Sequence, residues 1–111
     1  MEFQIHLLLV AVIQDQDLEV ATEALQSVGA SVTYLSSAGG FLGLQNATLL
    51  IGLPVEKESE ALTALQTSCR QRVEYMTLPL EGSPMSMPAP VPITVGGATV
   101  FALPVERFEL M

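Results

Sequence analysis

Residues 31–52 read SVTYLSSAGGFLGLQNATLLIG. Ser31, Val32, Thr33, Tyr34 and Leu35 follow the alternation of a strand, and Asn46 to Ile51 forms a second strand-like run. Between them stands Gly39-Gly40-Phe41-Leu42. Paired glycines let a backbone take positive φ or approach another group closely. A bulky aromatic followed by a leucine is not what a plain surface turn selects. Two readings stay open: a ligand shelf, with bare backbone beside a large apolar side chain, or a bulged hairpin whose Phe41 packs into the core.

Working outward, Ile5 to Ile13 is a nearly continuous apolar run of strand length, which predicts a central strand. Gln14-Asp15-Gln16-Asp17 interrupts it, and Asp15 or Asp17 can cap the helix that follows. In that helix Leu18, Ala21, Leu25 and Val28 form one apolar stripe, and Gly29 is placed to end it in the left-handed conformation. Strands are predicted over Ser31–Ser36 and Asn46–Gly52, joined by the Gly-Gly-Phe-Leu segment. Pro54 opens a second helix with Glu56, Glu58 and Glu60 in its first turns. Val55, Leu62, Leu65 and Cys69 share its apolar face, and Arg70 and Arg72 lie at its far end.

Five prolines between Thr77 and Pro92 predict a long loop, which in a compact domain is functional or disordered. Met85 and Met87 give it apolar knobs that could cover a pocket or simply pack. Ile93 to Val105 reads as a strand pair or one strand bulged around Gly96-Gly97. The order is strand, helix, strand, strand, helix, long loop, strand. That predicts an α+β fold of the ferredoxin-like split-βαβ type (βαββαβ), one domain over residues 1–111 with a long loop before its last strand. The helices would cover one sheet face and leave the other for a partner, as in a ring of subunits.

Half of the residues are hydrophobic although aromatics are few, and mean hydropathy is +0.47. That implies more apolar surface than a monomer hides, hence an oligomer. Net charge is −8 and the only Lys and Arg are Lys57, Arg70, Arg72 and Arg107. Phosphate-backbone affinity needs many such residues, so nucleic acid is not the expected partner. An anionic small ligand would have to use backbone N–H groups or one of very few arginines. Cys69 is the single cysteine, which excludes a disulfide framework and a Cys-rich metal site and reads as a buried, inert thiol. His6, also alone, reads as structural. Leu7 to Ile13 is too short to span a bilayer, and its flank carries Glu2 but no basic residue, unlike a signal peptide. A cytoplasmic location without membrane contact is the expectation.

No nucleophile–base pair, phosphate loop or dinucleotide fingerprint is visible, so no enzymatic activity and no cofactor are expected. Asp15 and Asp17 lie in a turn that offers no means of separating their pKa values, and capping is their expected role. Gly96-Gly97 reads as a bulge or a close approach between subunits. Binding has better support. Thr33 offers a hydroxyl, Asn46 can read the edge of a planar heterocycle, Phe41 could cover such a ring and Leu42 could line it.

Gln14-Asp15-Gln16-Asp17, Ala38-Gly39-Gly40-Phe41-Leu42, Asn46-Ala47-Thr48 and the run from Gly96 to Val105 have the order and spacing of the PII-like cyclic-di-AMP receptor family, which the chain resembles over nearly its whole length. The resemblance implies a PII-like homotrimer with nucleotide sites in the clefts between subunits and loops that signal to a downstream protein. It carries ligand-binding roles onto Thr33, Gly40, Phe41, Leu42, Asn46, Gly52 and Phe101, for cyclic-di-AMP or another adenine nucleotide. The chain departs from the family pattern at several positions. Gly29 and Ser31 stand where the family commonly has Asn and Arg, Tyr34 where a Lys is frequent, Leu110 where a Gln falls, and Gln45-Asn46-Ala47-Thr48 replaces Gly-Asn-Thr-Thr. The adenine shelf is largely kept while the phosphate clamp is thinned.

Overall fold

The computed structural model describes residues 4–41, 44–78 and 89–111, with side chains for 4–35, 45–75 and 90–111. Leu7–Gln14 forms β1, whose odd-numbered residues Leu7, Leu9, Ala11 and Ile13 are buried. Its even-numbered residues are half-buried on the opposite face. A single 3-10 turn, Asp15–Asp17, leads into α1, Leu18–Ser27. Neither aspartate caps this helix through its side chain. Asp17 is committed elsewhere, as the site geometry shows. Gly29 follows α1 at φ 91° and ends it as predicted.

The strands β2 (Ser31–Phe41) and β3 (Leu44–Leu53) are longer than their sequence patterns suggest. Their pairing runs from Ser31↔Gly52 to Ser36↔Ala47, slips, and resumes at Gly40↔Gln45 and Phe41↔Leu44. Gly39-Gly40-Phe41 therefore lies inside β2 and is not a connecting segment. Glycines suit the slip because a residue without Cβ tolerates the local change of twist. Leu42 lies outside the described residues.

Pro54 precedes a 3-10 turn, Val55–Lys57, and then α2, Glu58–Ser68. The helix ends before Arg70 and Arg72, and Val55 is exposed rather than on the packed face. Ala21 and Leu25 of α1 and Ala61 and Leu65 of α2, with Cys69 just beyond, join the odd-numbered residues of β1 and β3 in one core. Both helices thus pack on the same side of the sheet. The last strand, β6 (Ala98–Pro104), pairs with β1 and completes a four-stranded antiparallel sheet of order β2-β3-β1-β6. This α+β arrangement is compatible with a ferredoxin-like fold.

The long loop expected over residues 77–92 is in part a hairpin. Strands β4 (Arg72–Leu78) and β5 (Ala89–Val95) form a separate two-stranded sheet, paired without interruption from Arg72↔Val95 to Leu78↔Ala89. Pro90 and Pro92 have no N–H to give, so the ladder donors of β5 are the alternate residues such as Val91 and Ile93. The prolines alternate, and both turn the donor-less side of their backbone outward. That placement is the one a strand tolerates. β5 and β6 do not pair with each other; Gly96-Gly97 hands the chain from the hairpin to the main sheet. The radius of gyration is 17.9 Å, against about 13 Å for a compact domain of this length. Among the described residues, no helix is long and apolar enough to cross a membrane.

Candidate functional site

Residues paired across an antiparallel ladder lie on one face. The pairings Thr33↔Leu50, Val10↔Leu50 and Val10↔Phe101 therefore put Thr33 and Phe101 in a single row on the face away from the helices. They occupy opposite edge strands, β2 and β6, three strand spacings apart, or roughly 14 Å. Phe101 is 57% exposed, an aromatic side chain presented to the outside rather than to the core. Ser31 shares this face through its pairing with Gly52. Tyr34 pairs with Leu49 and faces the helices.

Gly52 is buried, and a Cβ there would stand 2.5 Å from Ile5 Cδ1. Ile5 lies over this glycine on the open face. Asn46 pairs with Gln14 at the far end of the sheet. It is separated from the Thr33–Phe101 row by two further same-face positions along β3, roughly 13 Å. The chain thus holds Thr33, Asn46, Gly52 and Phe101 on a common face but does not gather them at one point. Gly40 and Phe41 belong to the β2 extension paired with Gln45 and Leu44.

At the Asn46 end the open face dips into a polar cleft of ≈ 260 Å³ lined by Gln14, Asn46, Gln71, Thr99 and the Gly96-Gly97 backbone, with Val12 and Ala98. Gln14 shapes it: its Oε1 accepts from the Gly96 N–H at 2.7 Å. The Gly97 N–H donates to the Cys69 carbonyl. Gly96 has φ 88°, and a Cβ on it would meet the Arg70 carbonyl oxygen at 2.2 Å. The Gly96-Gly97 turn is thus a close approach within one subunit, pinned between the end of β1 and the α2–β4 connection. Sequence reading had no signal for Gln71, whose position depends on that connection. Gln14 was marked by ending an apolar run and by opening the Gln14-Asp15-Gln16-Asp17 motif, neither of which pointed to a cleft.

Beside the cleft, Arg72 of β4 donates to Asp17 Oδ1 at 2.8 Å. Asp17 is 4% exposed, and the Arg72 side chain is 29% exposed. The guanidinium also donates to the Arg70 carbonyl at 3.0 Å and to Glu74 Oε1 at 3.2 Å. The hydrogen bond to Asp17 raises the Arg72 pKa above its already high value. These partners occupy its fork, so Arg72 works as a joint between the hairpin and the main sheet rather than as an open anion clamp.

Cys69 is buried, as expected, and burial foremost, with Asp17 nearby, pushes its thiol up to about 11. The native state keeps the proton that the unfolded chain releases, so this group's stabilising effect is intact below about pH 9 and declines above it. Labelling of Cys69 by a disulfide reagent at pH 8 is expected to be about 100-fold slower in native protein than in urea. Equal rates would place the thiol at the surface. Among the described residues no group of three or more His, Cys, Asp and Glu could hold a metal ion.

The fold and this cleft define a small α+β protein with a small polar opening next to an apolar sheet face. The profile of the cyclic-di-AMP receptor family matches residues 6–111, and the chain belongs to that family. Among solved structures, a functionally unknown protein from Pediococcus pentosaceus is 33% identical over 96% of this chain and 98% of its own, with a TM-score of 0.73. A DUF3240 family protein from Shewanella baltica, 14% identical over 98% of this chain and 99% of its own at TM-score 0.56, shares the fold.

Proposed function

We propose that this chain is a non-enzymatic signal-transduction protein that binds cyclic-di-AMP or a related adenine nucleotide in the clefts between subunits of a cytoplasmic PII-like homotrimer. The observation that carries the reading is the Thr33–Phe101 row. Two residues matched to the family's ligand contacts share one face, yet sit on opposite edge strands. A purine cannot touch both at roughly 14 Å, but it can touch Thr33 of one subunit and Phe101 of the next. Exposed Leu35, Phe101 and Leu103 on the same face supply apolar surface for that contact. Residues 1–111 act as one domain on this reading.

Light scattering at micromolar concentration should give three chains per particle, and a monomer would remove the intersubunit site. Isothermal titration with cyclic-di-AMP, ATP and AMP should give heat with at least one of them. Asn46→Ala should weaken that binding about 10-fold, the worth of one or two hydrogen bonds, and more than Thr99→Ala does. The reverse order would take Asn46 out of the ligand contacts. Absence of heat with all three at millimolar concentration would sink the nucleotide reading.

One observation favours a second reading, a trimeric interaction scaffold that has lost the nucleotide. Ser31 holds the family's Arg position, and Arg72 is engaged by Asp17. A partner captured equally with and without nucleotide would support it.

A further inference from the structure

The helix side of β6 carries a second opening. Between α2 and β6 lies a groove of ≈ 390 Å³ with an apolar floor of Leu62, Leu65 and Val100. Gln66 and Gln71 line it with amide groups, and Arg70 stands at its edge. Its size falls at the lower end of small-molecule pockets, roughly 300–1,000 Å³. Val100 pairs with Ala11 of the buried face, so this groove opens on the opposite side of the sheet from the Thr33–Phe101 row.

The charge pattern is what marks it. Lys57 pairs with Glu60, Arg72 with Asp17 and Arg107 with Glu109. Among the described residues Arg70 is the one Lys or Arg with no carboxylate partner, in a chain where twelve acidic residues face four basic ones. An exposed arginine without a carboxylate partner, lining a groove that also holds Leu62, Leu65 and Val100, suits a carboxylate attached to an apolar body, because its fork takes two carboxylate oxygens at once. A single cation in an acidic field neutralises one negative charge, which disfavours polyphosphates.

We infer that the α2–β6 groove is a second ligand site, for a small monocarboxylate with an apolar tail held by Arg70. It is distinct from the nucleotide cleft and does not rest on nucleotide binding. The two openings share a wall: Gln71 and Gly97 line both. A Cβ at Gly97 would lie 3.2 Å from Gln71 Cγ, so the Gln71 side chain rests on bare backbone. A ligand that moves Gln71 in the groove is therefore felt in the cleft.

The test is titration of nucleotide-free protein with sodium octanoate, read by amide nuclear magnetic resonance. Saturable shifts are expected at the backbone amides of Arg70, Gln71 and Gly97 and at the Gln71 side-chain amide. Arg70→Gln should weaken octanoate binding about 10- to 100-fold, the loss of one charge-assisted contact. Octyltrimethylammonium, with the same tail and the opposite charge, should not shift these signals. No saturable shift at about 10 mM octanoate, affinity untouched by Arg70→Gln, or equal binding of the cationic surfactant would each overturn the assignment.

Discussion

Arg72→Met is expected to lower the unfolding free energy by about 3 kcal/mol, measured by urea titration at fixed protein concentration. The substitution keeps an apolar stem of similar length but removes the guanidinium that Asp17 Oδ1 accepts from at 2.8 Å. Asp17 stays buried with its carboxylate unpaired. Losing one partner of a buried ion pair typically costs about 3–5 kcal/mol. The lower end applies because the arginine is partly exposed to water, and water would compensate some of the loss. Asp17→Asn together with Arg72→Met removes both charges and should recover part of the stability. If the single variant unfolds within 0.5 kcal/mol of the parent, roughly the reach of an ordinary surface substitution, the pair does not join hairpin and sheet as described.

Gly96→Ala should be comparably damaging, at about 3 kcal/mol or more. Two independent costs meet there. The positive φ disfavours any side chain by roughly 1–2 kcal/mol. The added Cβ would also stand 2.2 Å from the Arg70 carbonyl oxygen, a backbone atom that cannot turn aside. Gly29→Ala separates the two costs, because that glycine has φ 91° and nothing within 4 Å of its would-be Cβ. It should lose only about 1 kcal/mol. If Gly96→Ala loses no more than Gly29→Ala, the turn is looser than its contacts with Gln14 and Arg70 imply. A stable Gly96→Ala protein should also show an altered cleft, since the Gly96 N–H bonded to Gln14 is part of its wall.

What the sequence discloses here depends on how far apart the interacting residues lie along the chain. The apolar run of β1 and the stripe Leu18, Ala21, Leu25 report their own burial, because periodicity is local. The membership of Thr33 and Phe101 in one row needs the register of three strand pairs, which no local pattern encodes. Asp17 looked like a cap because its partner, Arg72, stands 55 residues away. The prolines of β5 signalled a loop, and only their alternation, 90 and 92, permits the edge strand observed. The positions that the resemblance assigns to ligand binding could be picked out as residue types. Their separation within one chain, and Ile5 lying over Gly52, became visible only with the sheet assembled.

Pro90 and Pro92 have a consequence for the molecule in a crowded solution. Among the described residues β4 and β5 form a two-stranded sheet of their own, so each has one flank without a strand partner, and on the β5 flank Pro90 and Pro92 bring no N–H. A ribbon that grows by lateral recruitment needs both flanks to be adhesive. A copy that docks along β4 therefore presents a β5 flank with two donors missing, which weakens further growth. Prolines at alternate positions of one edge thus guard a two-stranded sheet against seeding fibrils.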